Sequence, residues 1–133
     1  MAKSTKNITV DYSVTVKESS KELTPKERVM MKDTTDAIKL DEATQIEAIT
    51  IRPNFYAVLA IHNSKADPVD YENYLVVDEN GQKYITGSNS FWASFLDILS
   101  DMEGVTDEEW AVKIYRVPSK NYKGKDFITC SIV

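Results

Sequence analysis

A chain of 133 residues with 42% apolar and 10% aromatic content is long enough for one domain with an ordinary core, and too apolar to be disordered throughout. Its formal charge of −5 speaks against a general polyanion binder, and no apolar run approaches the ~18 residues of a membrane-spanning helix. The single cysteine, Cys130, excludes an internal disulfide, and Met1–Lys6 has no apolar h-region, so a cytoplasmic protein without membrane contact is expected.

Asn7–Lys17 alternates, with Ile8, Val10, Tyr12, Val14 and Val16 against Thr9, Asp11, Ser13 and Thr15, the pattern of a half-buried strand. After a polar stretch, Thr24-Pro25-Lys26-Glu27 reads as a helix start: threonine as N-cap, proline at the first helical position, glutamate three residues after the cap. The helix is expected over Pro25–Lys32 with Val29 and Met30 to bury. These pieces precede the main run of β signals, so residues 1–34 are read as an arm and residues 35–133 as the main domain. The arm's apolar strand face needs a sheet edge, in its own chain or in a second subunit, which makes a homo-oligomer one expected arrangement.

From Ile46 the β signals follow closely. Glu47–Arg52 is one run, interrupted by Pro53-Asn54, and Phe55–Ile61 is apolar on both faces, as in a strand covered on both sides. Tyr74–Val77 and Lys83–Thr86 flank Asp78-Glu79-Asn80-Gly81, and Asn-Gly between two β runs signals a hairpin. Asp78 and Asn80 lack the remaining spacing of a calcium loop and are read as turn chemistry. Gly87–Ser90 offers caps for a helix over Ser90–Met102, with Phe91, Phe95, Ile98, Leu99 and Met102 on one stripe that Trp92 and Leu96 widen, and Gly104 at its end. Asp97 and Asp101 lie one turn apart with no histidine near, a solvated face rather than a metal site.

Trp110–Val133 reads as two strands joined by a polar tip. Trp110, Val112 and Ile114 alternate with Ala111, Lys113 and Tyr115, and Ile128, Cys130 and Ile132 alternate with Phe127, Thr129 and Ser131. Pro118 stops the first strand and Ser119–Lys125 supplies turn formers. Lys113, Arg116, Lys120, Lys123 and Lys125 stand against Asp126, a balance of +4, so residues 1–109 sum to −9 (eleven Lys/Arg against twenty Asp/Glu). An acidic body with one basic, aromatic finger fits an anionic partner with flat faces. The plain alternative is a loop whose lysines keep it soluble.

Catalytic chemistry finds little support. His62 and Cys130 are each alone of their kind, Cys130 falls on a core face, no Gly-rich phosphate loop occurs, and no carboxylate sits in an apolar run. No enzyme, metal or cofactor is expected. After the arm, the order strand, strand, strand, helix, strand, strand is that of an OB-fold, a five-stranded Greek-key barrel with one helix between strands three and four. Pro118–Lys125 then becomes the loop between strands four and five, one of the two with which such folds grip oligonucleotides.

Tyr84-Ile85-Thr86-Gly87-Ser88-Asn89-Ser90-Phe91, running into the helix, and Ser119-Lys120-Asn121-Tyr122-Lys123-Gly124-Lys125-Asp126-Phe127 resemble small single-stranded-DNA-binding proteins of bacteriophages and mobile elements. The resemblance covers the chain from Tyr84 onward and implies sequence-nonspecific binding of displaced strands in DNA replication or recombination. Unlike the cellular bacterial single-strand binders, the chain shows no Gly-rich linker and no acidic C-terminal tip, so recruitment of partners through such a tail is not expected. The expected nucleic-acid-binding residues are Lys113, Tyr115, Arg116, Lys120, Tyr122, Lys123, Lys125 and Phe127, cations for the backbone and aromatic faces for the bases. Arg52 and Tyr56 are candidates to extend the track. From a different class, the acidic body suits a protein-interaction module or an inhibitor of a host protein.

Overall fold

A computed structural model describes residues 11–120 and 124–133. Its elements are β1 (Tyr12–Ser19), α1 (Pro25–Lys32), β2 (Ile38–Lys39), α2 (Leu40–Ala43), β3 (Ile49–Ile51), β4 (Pro53–Asn63), β5 (Asp70–Asp78), β6 (Lys83–Thr86), α3 (Asn89–Met102), β7 (Val112–Pro118) and β8 (Asp126–Ile132). They form a mainly β protein of two sheets, one ordered β1-β4-β5-β6-β2 and the other β3-β7-β8. Among the described residues no helix is long and apolar enough to cross a membrane.

The two runs expected on either side of Pro53 are two halves of one bent strand. Ile51 pairs with Val112 of β7, and two residues on Pro53 pairs with Asp78 of β5, so the chain crosses from one sheet to the other at Arg52. Proline has no N–H to continue a ladder and pushes the residue before it toward extended backbone, which suits a strand start at a bend. The hairpin expected from Tyr74–Val77 and Lys83–Thr86 is present as the antiparallel pair β5 and β6. Their turn is closed by Asp78, whose Oδ1 accepts from the backbone N–H groups of Asn80 and Gln82, both at 2.9 Å, and Gly81 takes a φ of +84° that a side chain would resist.

The sheets do not close into the expected five-stranded barrel. Closure would need β6 to pair with β8, and both edges are occupied otherwise. β6 takes β2 as a parallel neighbour, while α3 runs along β8, where Ser90 Oγ donates to the Ile128 carbonyl at 2.8 Å and Ser94 Oγ lies 3.0 Å from Thr129 Oγ1. β2 and α2 carried no sequence signal because two and four residues are too few to show a period.

The central strands β4, β5 and β6 carry buried residues on both faces, as the two-sided apolar run of β4 requires. Val58, Tyr74, Val76 and Tyr84 face an inner core with Phe91, Trp92 and Phe95 of α3 and with Ile51, Val112, Ile114, Ile128 and Cys130 of the small sheet. Ala57, Leu59, Ile61, Leu75, Val77 and Ile85 face the other way and are covered by Leu23 and Met31. α1 spans Pro25–Lys32 with both bonds of its capping box: Thr24 Oγ1 accepts from Glu27 N at 3.1 Å, and Glu27 Oε1 accepts from Thr24 N at 2.9 Å. Its buried residue is Met31, however, and the expected Val29 and Met30 are exposed. An eight-residue helix offers two apolar faces one residue apart, and only the tertiary contact chooses between them. Lys83 makes that choice visible: its buried ammonium donates to the carbonyls of Met30 at 2.7 Å and Asp33 at 2.6 Å, holding the C-terminal end of α1 against β6.

The N-terminal strand pairs with β4 from Tyr12↔Asn63 to Ser19↔Ala57, with a bulge between Val16 and Glu18, and Val14 and Val16 pack on the second core. Ile8 and Val10 lie outside the described residues.

Candidate nucleic-acid interface

The basic hairpin is built on a regular ladder from Val112↔Ile132 to Pro118↔Asp126. Period two sends Val112, Ile114, Ile128 and Cys130 inward, all buried, as expected. The opposite face therefore carries Lys113, Tyr115 and Val117 of β7 across from Ser131, Thr129 and Phe127 of β8, and Thr50 of β3 beside Lys113. Lys113 is exposed, Phe127 is 40% exposed, and Tyr115 is half-buried. The Tyr115 hydroxyl lies 2.6 Å from Ser131 Oγ, and Lys113 Nζ stands 5.9 Å from the Tyr115 ring centre, the outer limit of a cation–π contact. The phenol edge is thus tethered on the outer face of the hairpin.

Arg116 has a different position from its expected partners. Its side chain points inward, 19% exposed, where Nη1 donates to Asp126 Oδ1 at 2.6 Å, Nε to Thr44 Oγ1 at 3.1 Å and Nη2 to the Asp41 carbonyl at 2.6 Å. Those bonds clamp α2 to the hairpin and engage all three guanidinium nitrogens. Residue type alone marks Arg116 as a free cation of the hairpin. The period-two pattern held the information, because Arg116 continues the row Val112, Ile114. Since Arg116 and Asp126 cancel, the hairpin's +4 resides in Lys113, Lys120, Lys123 and Lys125.

At the tip, Ser119 N donates to the Lys125 carbonyl at 2.9 Å, and Gly124 has a φ of +81°. Lys120 and Lys125 are exposed on either side of this closure. Tyr122 and Lys123 lie outside the described residues. Arg52 and Tyr56 do not extend this face: Arg52 pairs with Glu109 at 3.5 Å, and Tyr56 packs edge-on to Trp92 at 5.0 Å between ring centres. Leu23 and Met31 cover part of the outer face of β4-β5-β6.

The residues weighed for other chemistry stand apart. His62 Nδ1 lies 2.7 Å from Asp70 Oδ1 on the large sheet, whereas Cys130 is buried in the small one, its thiol pushed up to about 12 by burial. Among the described residues no group of three or more His, Cys, Asp or Glu side chains converges as metal ligands would. Neither a family model, nor a curated protein, nor a solved structure matches the chain.

Proposed function

We propose that the chain binds single-stranded DNA without sequence preference, on the outer face of β7-β8 and the lysines of its tip. The observation that carries this reading is the placement of Tyr115 and Phe127 on one outer sheet face with Lys113, with Lys120 and Lys125 at the end of the same hairpin. Bases stack on aromatic faces whatever their identity, and lysines follow the phosphate track, so the two residue types together suit a single strand better than a duplex. An apolar ring left 40% exposed beside lysines has no role in the core.

The connectivity supports an OB-like ancestry in open form. The pairs β3–β7, β4–β5, β5–β6 and β7–β8, with β3 and β4 as one bent strand and α3 between β6 and β7, are those of the Greek-key barrel without its last pairing. In that frame the basic tip is the loop between the fourth and fifth strands. A role with displaced strands in phage or mobile-element replication or recombination follows from the resemblance of the same segment. Fluorescence anisotropy of labelled oligo-dT tests the reading: binding at low salt that weakens steeply as salt rises is expected. Absence of salt-sensitive binding would remove this function and leave the acidic interaction module as the better account.

A further inference from the structure

A second surface has the opposite charge. The start of β4 and the C-terminal half of α3 enclose a half-open groove of ≈ 560 Å³ whose apolar lining includes Phe55, Tyr56, Leu96, Leu99, Met102 and Trp110. Leu96 is 36% exposed there, and Leu99 and Met102 continue its line at intervals of three residues along the helix. Leu96 is the exposed member of this row, while Leu99 and Met102 are half-buried and Leu99 packs against the inner core.

Acids outnumber cations in the chain segment that ends α3, while Lys21 Nζ stands 4.2 Å from the ring centre of Phe55 at the groove. From Tyr84 to Val112 the chain carries Asp97, Asp101, Glu103, Asp107, Glu108 and Glu109 and no lysine or arginine. Glu103 itself lines the groove. Of the nearby cations, Arg52 is paired with Glu109 at 3.5 Å and Lys21 with Glu27 at 3.0 Å. Asp101 and Glu103 also stand at the end of α3, where the free carbonyls are already partly negative and the last turn has no basic residue. Acids in that position weaken a helix. Their field repels a phosphate backbone and attracts a cationic chain.

We propose that this groove docks a basic amphipathic segment of another protein, with leucine-like side chains at helical spacing in the groove and lysine or arginine against the acids around it. The protein would then hold nucleic acid at its basic hairpin and a cationic protein partner at α3.

A synthetic amphipathic helical peptide of leucine and lysine serves as the probe, with two controls that replace lysine by glutamate or leucine by serine. The leucine–lysine peptide is expected to bind at least tenfold more tightly than either control and to shift Trp110 emission to the blue, a shift absent from Trp110→Phe. Leu96→Ser and Glu103→Lys, both at exposed positions and checked by circular dichroism, should each weaken it at least tenfold while leaving oligo-dT binding unchanged. Equal binding of the serine control, or indifference to both substitutions, would show general attraction of polycations and overturn the proposal. Sedimentation equilibrium supplies a further arm: a reversible dimer dissolved by Leu96→Ser would assign the groove to a second copy of this chain and overturn it as well.

Discussion

Lys113 and Arg116 are three residues apart on one strand and carry the same charge, yet the pleat sends one to solvent and the other into a clamp. They should fail differently. Arg116→Ala leaves Asp126 and the Asp41 carbonyl without their donor and should cost about 1–3 kcal/mol in urea unfolding, with the salt slope of oligo-dT binding unchanged. Lys113→Ala, Lys120→Ala and Lys125→Ala should keep stability within about 0.5 kcal/mol. Each should lower the salt slope by about 0.7 for every phosphate that the missing ammonium had neutralised. Truncating Tyr115 or Phe127 to alanine should cost about 1–3 kcal/mol of binding where a base stacks, the slope nearly constant. Two folded alanine variants with undiminished affinity would sink the stacking assignment.

At the scale of the element, α3 ties the two sheets together. Phe95 is 1% exposed between Phe91 and Trp92, and Phe95→Ala should cost about 3–5 kcal/mol. Asp97→Ala, on the solvent side, should change stability by no more than about 0.5 kcal/mol. Asp101→Lys should raise it by about 0.3–1 kcal/mol by reversing an unfavourable charge at the helix end. Similar losses from Phe95→Ala and Asp97→Ala in thermal melts would contradict the orientation of the helix.

α1 gives a pH signature. The Thr24 backbone N–H, and then Lys21, hold the Glu27 carboxyl below the ordinary glutamate range, and Thr35 does the same for Asp33 through its hydroxyl and N–H. A carboxyl depressed in the folded state stabilises above its unfolded value, near 4.5 for Glu27, and that contribution disappears as pH falls through the folded value. Glu27→Gln should therefore flatten the acid limb of stability against pH while lowering the plateau. An unchanged acid limb would mean that the capping box does not persist in solution.

Over the whole molecule, burial raises several neutral groups together. Cys130 is pushed up to about 12 by burial, Tyr84 is raised by burial and then by Asp78, and Tyr74 by burial and then by Glu72. Each group favours its protonated form in the folded state. Their stabilisation is complete below the unfolded values, 9.0 for the thiol and 10.0 for the phenols, and is lost as pH rises toward the folded values. Urea midpoints should hold up to about pH 9 and fall steadily above it. At pH 8 the Cys130 thiol should react with a disulfide reagent only on the timescale of unfolding. The arm is tested at this scale too: removing residues 1–22 strips β1 from β4 and should produce aggregation in size-exclusion chromatography, because a long unpaired edge is exposed. A soluble, β-rich truncation would show that the edge tolerates its loss.

Much of this was legible in the residues because it is local or periodic. The capping box of α1, the Asn-Gly turn, the stripe of α3 and the inward rows of β7 and β8 each follow from side chains within a few positions of one another. The burial of both faces of β4 was written in a run apolar at every position. Pairing partners were not, because a strand's edges are alike in sequence and only long-range contact decides which neighbour takes them. Thus β2 and α3 occupy the edges that a closed barrel needs, and Val29 and Met30 give way to Met31. Arg116 is the same lesson at the site: its charge is a property of the residue, but whether that charge is available depends on Asp41, Thr44 and Asp126, which only the tertiary fold brings to it.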